Sequence, residues 1–226
     1  MPKVILAATG LLDLSSVSVL DELRGVGVAE LQVNLCDDPV AGALVLQHLE
    51  RPIQTVVGIS GGSGADVLRI FSDHVDDIVG WEVEERTPLP PPPVPDGVRA
   101  DALANLAFIR RPPEMSYDDW LRHWQGPHTQ VAMDTQATFG YVQNRVVRAL
   151  TSVTPRVDAI VEELFPMAAV TDVHAFYGSG GDDAELSRRM TTLMESVAAM
   201  GADRNIDLVP TSRYVWRLGP EGQDIG

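Results

Sequence analysis

Pro88-Leu89-Pro90-Pro91-Pro92-Pro93-Val94-Pro95 can be neither helix nor central strand, because each proline lacks a backbone N–H and has a fixed φ. It reads as a stiff polyproline spacer, residues 88–98, that divides the chain. On its N-terminal side, residues 1–87, Val4 to Ala8 reads as a strand and Ser18 to Arg24 as a short helix. Val28 to Leu35 and Ile53 to Ser60 are rich in β-branched residues and read as strands. Gly61-Gly62-Ser63-Gly64 is a turn, after which Val67, Leu68, Phe71, Val75 and Ile78 recur at helical spacing. A strand from Trp81 to Arg86 closes the unit, and the order βαββαβ is that of a ferredoxin-like module.

The same order can be traced through residues 99–226 with longer elements. Leu103 to Arg110 is a strand, Ser116 opens a helix, and Phe139 to Arg148 and Ala159 to Phe165 are strands. Leu186, Met190, Leu193, Met194, Val197 and Met200 form a helical stripe, with the methionines read as core filling, and Arg213 to Leu218 is the last strand. Each sheet alone would leave one face uncovered. The expectation is therefore an α+β chain of two tandem ferredoxin-like modules, a pseudo-dimer whose sheets pack face to face around a barrel-like cavity.

Composition narrows the function classes. A chain of 226 residues with 45% apolar content can bury a sizeable core. Thirty-two acids against 17 bases give a formal charge of −15, which repels phosphate backbones and argues against a nucleic-acid partner. No apolar run reaches the roughly 20 residues of a membrane span, and Val4 to Leu12 lacks the marks of a signal peptide, so a cytoplasmic protein off the membrane is expected. Cys36 is the only cysteine; it permits no internal disulfide and reads as a small buried residue. His48, His74, His123, His128 and His174 show no metal-binding spacing, so no metal site is expected. The glycine-rich turn at 58–64 lacks the lysine of a phosphate-binding loop.

The segment with readable chemistry is Met115 to Asp134, MSYDDWLRHWQGPHTQVAMD. Ser116 and Asp119 form a capping pair, and Trp124 and His128, four apart, share a face if the turn continues. Gly126-Pro127 interrupts that turn and places His128 at a kink or at the start of a second helical segment. Phe108-Ile109-Arg110-Arg111-Pro112-Pro113, Met115-Ser116, Trp120, Trp124-x-x-x-His128, Tyr141-Val142-Gln143-Asn144 and Asp158 to Phe165 together resemble the EthD family of the dimeric α/β-barrel superfamily, over roughly Ala104 to Arg217. The family usually has glycine where this chain has Ala159, and its proline more often follows the histidine.

That resemblance implies a cluster with His128 and Glu163 as catalytic residues and Trp124, Tyr141, Asn144 and Arg110 as substrate contacts. A neutral imidazole suits proton transfer near neutrality. Alternation puts Tyr141 and Asn144 on opposite strand faces, and Glu163 on the face of Val161 and Phe165, where it needs a raised pKa or a partner such as His128 or an arginine. The leading expectation is a cofactor-free enzyme for a hydrophobic, aromatic or polyketide-like small molecule, by dehydration, cyclisation or related lyase chemistry. A cofactor-free oxygenase and a non-catalytic ligand carrier stand beside it. Association into a homodimer is left open.

Overall fold

The β-branched run of residues 28–35 forms β2 (Val28–Leu35), and its neighbours are β1 (Lys3–Ala8), β3 (Thr55–Gly61) and β4 (Val79–Leu89). This computed structural model describes residues 3–12, 17–75, 77–152 and 156–219. The C-terminal half contributes β5 (Leu103–Ile109), β6 (Gly140–Ala149), β7 (Ala159–Phe165) and β8 (Asp207–Arg217). Helices α1 (Val17–Gly25) and α2 (Gly64–Ser72) belong to the first half. In the second half are α3 (Tyr117–His123), α4 (Thr129–Thr135), α5 (Val173–Tyr177) and α6 (Asp183–Ala199).

Each half repeats one antiparallel strand order, β4-β1-β3-β2 and β6-β7-β5-β8, which is the ferredoxin-like arrangement. The outer strands of the two sheets then join, β2 to β8 and β4 to β6, and the eight strands close into a barrel. Closure gives every edge strand a partner and removes the unpaired N–H and C=O groups that invite aggregation. The fused dimeric α/β barrel expected from element order is therefore the fold of this chain. Among the described residues no helix is long and apolar enough to cross a membrane.

Successive residues of a strand face opposite sides. Leu6, Leu31, Val33 and Ile59 face outward and pack under Leu23 of α1 and Val67, Ile70 and Phe71 of α2. Ile5, Trp81, Val83, Leu106, Phe108, Ile160 and Val209 face into the barrel. Among them sits a polar knot. Glu162 Oε1 accepts from Gln32 Nε2 and Asn34 Nδ2, both at 2.9 Å, and pairs with Arg213 Nε at 3.3 Å. Side chains thus pack the space between the two sheets, where the sequence had led us to expect the substrate chamber.

Local readings also change, and the last strand, read from Arg213, begins at Asp207. Strand β4 runs to Leu89, into the proline stretch. Pro88 is accommodated because the β4–β6 register breaks between Arg86 and Leu89, so its missing N–H costs no ladder bond. Helix α2 is capped by the Ser63 side chain and ends at Ser72, which leaves Val75 buried in the following turn rather than on the helix. The Met190 and Met194 side chains of α6 are 39% and 48% exposed, so they do not fill the core. Gly61 has φ +87°, and a Cβ there would lie 2.7 Å from the Gly27 carbonyl oxygen, so the irregular end of the β2–β3 ladder requires glycine.

Candidate functional site

Ser116 caps α3 as its position implies, accepting the Asp119 N–H at 3.2 Å, and its hydroxyl donates to the Asp119 carboxylate at 2.6 Å. At Trp124–His128 the helix widens into a π turn, with Gly126 far from helical values at φ −101° and ψ −109°. Pro127 supplies no N–H, so the regular bond pattern cannot pass through this turn. The Thr129 hydroxyl donates to the Trp124 carbonyl at 2.9 Å and accepts from Gln143 Nε2 of β6 at 2.9 Å. The widened turn is thereby pinned over the outer face of β6.

Trp124 and His128 are both buried, but the turn sends them to different neighbours. Trp124 stacks on Trp120 with ring centroids 5.3 Å apart and lies beside Tyr141. His128 points to α6, where its Nδ1 is 3.0 Å from Ser196 Oγ. Burial first, and the nearby His123 second, push the imidazole down to about 4, so it is neutral at physiological pH. Of the alternatives left open for Glu163, a raised pKa or a partner such as His128 or an arginine, the pairing with His128 is not made. The reason is the kink: a regular i, i+4 turn would have kept the imidazole over the sheet beside Trp124.

Glu163 lies instead in a row of polar side chains across the sheet. It is directly opposite Tyr141 of β6 on one side and Asn105 of β5 on the other, all three facing the helix layer. Glu163 lies deep in the protein and keeps only part of its surface accessible. Ala107, Ala159 and Ala132 belong to the same apolar layer. The Gln136 amide, with its nitrogen turned to the site, donates to Glu163 Oε1 at 3.2 Å. No cation pairs with this carboxyl among the described residues, and burial alone pushes it up to about 8. Burial first and Glu163 second raise the Tyr141 phenol, and the same two causes raise Tyr177.

Around this row several donors lack partners. The indole Nε1 of Trp120 is buried with no acceptor among the described residues, and that of Trp124 has only the neighbouring Tyr141 hydroxyl, short of a regular hydrogen bond. Buried donors of this kind cost free energy unless something accepts from them. The N-terminal half supplies one residue at the rim. Arg86 of β4 donates to the Gln125 carbonyl at 2.5 Å and approaches Gln143 Oε1 at 3.4 Å.

The structure therefore brings together Trp124, Tyr141 and Glu163. It does not bring in Asn144, which faces the barrel interior, as alternation required of one of the pair. Arg110 is also elsewhere. Its guanidinium is buried against Asp207 at 2.6 Å and the Asn205 carbonyl at 2.5 Å, tying the end of β5 to the start of β8. Asp207 further accepts the His48 and Leu49 N–H groups, at 2.6 and 2.9 Å. Arg110 is thus occupied by a structural ion pair. Asn105, Gln136, Tyr177, Arg86 and Ser196 went unnoticed in the sequence. Of these only Asn105 carried a signal, as the one polar residue of the strand LANLAFI.

No protein-family model matches the chain, so the resemblance to the EthD family gains no support from that comparison. No curated protein matches it either. Among solved structures 29 chains match. An anthrone oxidase-like protein aligns with a TM-score of 0.53 at 12% identity, over 100% of this chain and 96% of its own. Two further structures have a TM-score of 0.48. One is a putative monooxygenase from Lactobacillus acidophilus, 8% identical over 96% of both chains. The other is a putative monooxygenase from Fusobacterium nucleatum, 9% identical over 96% of this chain and 95% of its own. At 12% identity the likeness to the first shows the shared dimeric α/β-barrel fold and nothing finer.

Proposed function

We propose that this chain is a cofactor-independent enzyme that oxygenates a hydrophobic, electron-rich aromatic molecule in the layer between α3, α4 and the outer face of β5, β6 and β7. The observation that carries this reading is Glu163, an enclosed carboxyl without a cationic partner, held near a pKa of about 8 between Tyr141 and Asn105. A group that titrates close to the working pH is suited to taking a proton and returning it. Ionised Glu163 removes a proton from an activated C–H of the substrate. The Tyr141 hydroxyl and the Asn105 amide on either side of Glu163, with the Trp124 N–H beside Tyr141, are the donors that would stabilise the resulting negative charge, and such donors act best where water is excluded. The electron-rich carbanion reduces molecular oxygen. For an anthrone, the ring methylene and O2 become a ring carbonyl and one water, so atoms and electrons balance with no further reductant.

The solved anthrone oxidase-like protein of the same fold makes an anthrone the first substrate to try. His128, turned to Ser196, has the place of a positioning residue that fixes α4 against α6 rather than that of the base. Residues 1–87 would act chiefly as the partner half that closes the barrel and supplies Arg86 to the rim.

A dehydration, as the EthD resemblance implies, draws on the same observation, because Glu163 is largely protonated at pH 7 and can donate to a leaving hydroxyl. Oxygen separates the two. Oxygenation predicts that purified protein consumes O2 in step with quinone formed from an anthrone and stops under argon. Turnover of a hydroxylated polyketide-like substrate under argon, with loss of water, would favour the dehydration instead. Saturable binding of both without turnover of either would remove the enzymatic reading.

A further inference from the structure

At the end of the barrel where β6 turns toward β7, a cleft of about 840 Å³ is lined by Arg111, Arg145, Arg148 and Arg156 together with Trp81 and Tyr117. The chain has 17 basic residues against 32 acidic ones, so four guanidiniums in one cleft oppose its average field. Three of them have a carboxylate neighbour. Arg145 pairs with Glu84, Arg148 with Glu82 at 2.5 Å, and Arg156 with Asp158. Arg111 has none among the described residues. Its Nη1 donates to the carbonyl oxygens of Pro112, at 3.3 Å, and Met115, while its Nε is buried without an acceptor. The indole Nε1 of Trp81, a residue of the cleft wall that is otherwise fully buried, also lacks an acceptor.

The acceptors present do not match these donors. Each guanidinium carries five N–H bonds in a planar fork. Asp158 divides its two oxygens between Arg156 and the Arg111 backbone N–H, the latter at 3.0 Å, and Arg145 spends one further donor on the Tyr117 hydroxyl at 3.3 Å. Four positive charges against three carboxylates leave a cationic surplus, and most N–H bonds of Arg148 and Arg156 remain unassigned. The chemistry that satisfies a set of planar forks is an oxyanion with two or three acceptor oxygens.

We propose that this cleft is a binding site for the oxyanion group of a small molecule, a carboxylate or a phosphate, held by Arg111, Arg145, Arg148 and Arg156. It is separate from the polar row around Glu163. The rings of Tyr117, Trp120 and Trp124, with centroid spacings of 6.0 Å (tilted) and 5.3 Å (stacked), run along α3 and into the π turn from one to the other. The inference does not depend on the oxygenase reading, because it rests on a different set of residues.

The test is calorimetric titration of the purified full-length protein with inorganic phosphate and, separately, with benzoate, at constant ionic strength maintained with chloride. Arg148 and Arg156 are 65% and 67% exposed, so Arg148→Ala and Arg156→Ala should leave the fold intact, which circular dichroism checks. Saturable binding of at least one anion is expected, weakened about tenfold by either substitution and lost in the double variant. Tighter binding of phosphate identifies a phosphorylated ligand or free phosphate; tighter binding of benzoate identifies an aryl carboxylate. An affinity unchanged in the double variant, or no saturable binding of either anion at millimolar concentration, overturns the proposal.

Discussion

Replacing Glu163 by glutamine preserves its shape and removes only its titration, so the variant isolates what burial does to this carboxyl. In the folded chain the group is pushed from its ordinary 4.5 up to about 8 by loss of solvation. A raised acid pKa means that the folded state holds the proton more tightly than the unfolded state does. The associated stability is complete below pH 4.5 and is lost as pH rises toward 8. Each pH unit in that window is worth about 1.4 kcal/mol, so from pH 5 to pH 8 the wild type should lose up to about 4 kcal/mol relative to Glu163→Gln. Water reaching the carboxyl would reduce that figure without changing its sign. The assay is urea unfolding of both proteins at each pH, compared as a difference so that the other titrating groups cancel. A difference that stays flat between pH 5 and pH 8 would refute the reasoning, because Glu163 would then titrate as an ordinary solvated carboxylate. In turnover the same substitution should lower kcat by about 10²- to 10⁴-fold with little change in KM. The wild-type rate should climb with pH and level off above about 8 as the base form fills.

His128 titrates in the opposite sense: its folded pKa is pushed down to about 4 from 6.5, so its contribution is present above pH 6.5 and lost as pH falls toward 4. His128→Asn should remove this acid-limb loss, about 3 kcal/mol at most, and unfolding curves between pH 4 and pH 7 would show a shallower decline than the wild type. Asp207→Asn leaves the buried Arg110 guanidinium without its carboxylate and should cost about 3–5 kcal/mol, measured by urea unfolding; a loss below about 1 kcal/mol would mean that the pair is solvated. Trp124→Phe shrinks a fully buried ring stacked on Trp120, so stability should fall by about 1–2 kcal/mol while KM for the aromatic substrate increases; a loss of stability with unchanged KM would show that the indole serves the fold alone.

The fold was legible because its elements are locally consistent. The sequence reading placed strands at Val28–Leu35 and Ala159–Phe165, and the structure has the same limits. The repeated βαββαβ order predicted the paired sheets that close the barrel. Alternation also assigned side chains to faces: Tyr141 and Glu163 to one, Asn144 to the other. It could not say which face was the lumen. In a barrel wrapped by helices both strand faces are buried, so both read as apolar and neither carries a label. The candidate site was consequently expected between the sheets, whereas its residues lie outside them under α3 and α4. The destination of His128 was hidden for another reason. Gly126-Pro127 announced a kink, but only the tertiary position of α6 determines that the turned imidazole meets Ser196. The stripe on α6 misled because helical period identifies one apolar face without showing that anything covers it; Leu193 is buried, while Met190 and Met194 are exposed.

The most direct test is a crystal structure of this chain grown with anthraquinone, the product expected from the simplest anthrone. The account predicts the planar ring system in the layer bounded by Trp124, Ala107, Ala159 and Tyr141, with an oxygen in hydrogen-bond reach of Glu163. Density for the ring inside the barrel among Phe108, Ile160 and Trp81, or Glu163 sealed off with no ligand beside it, would contradict it.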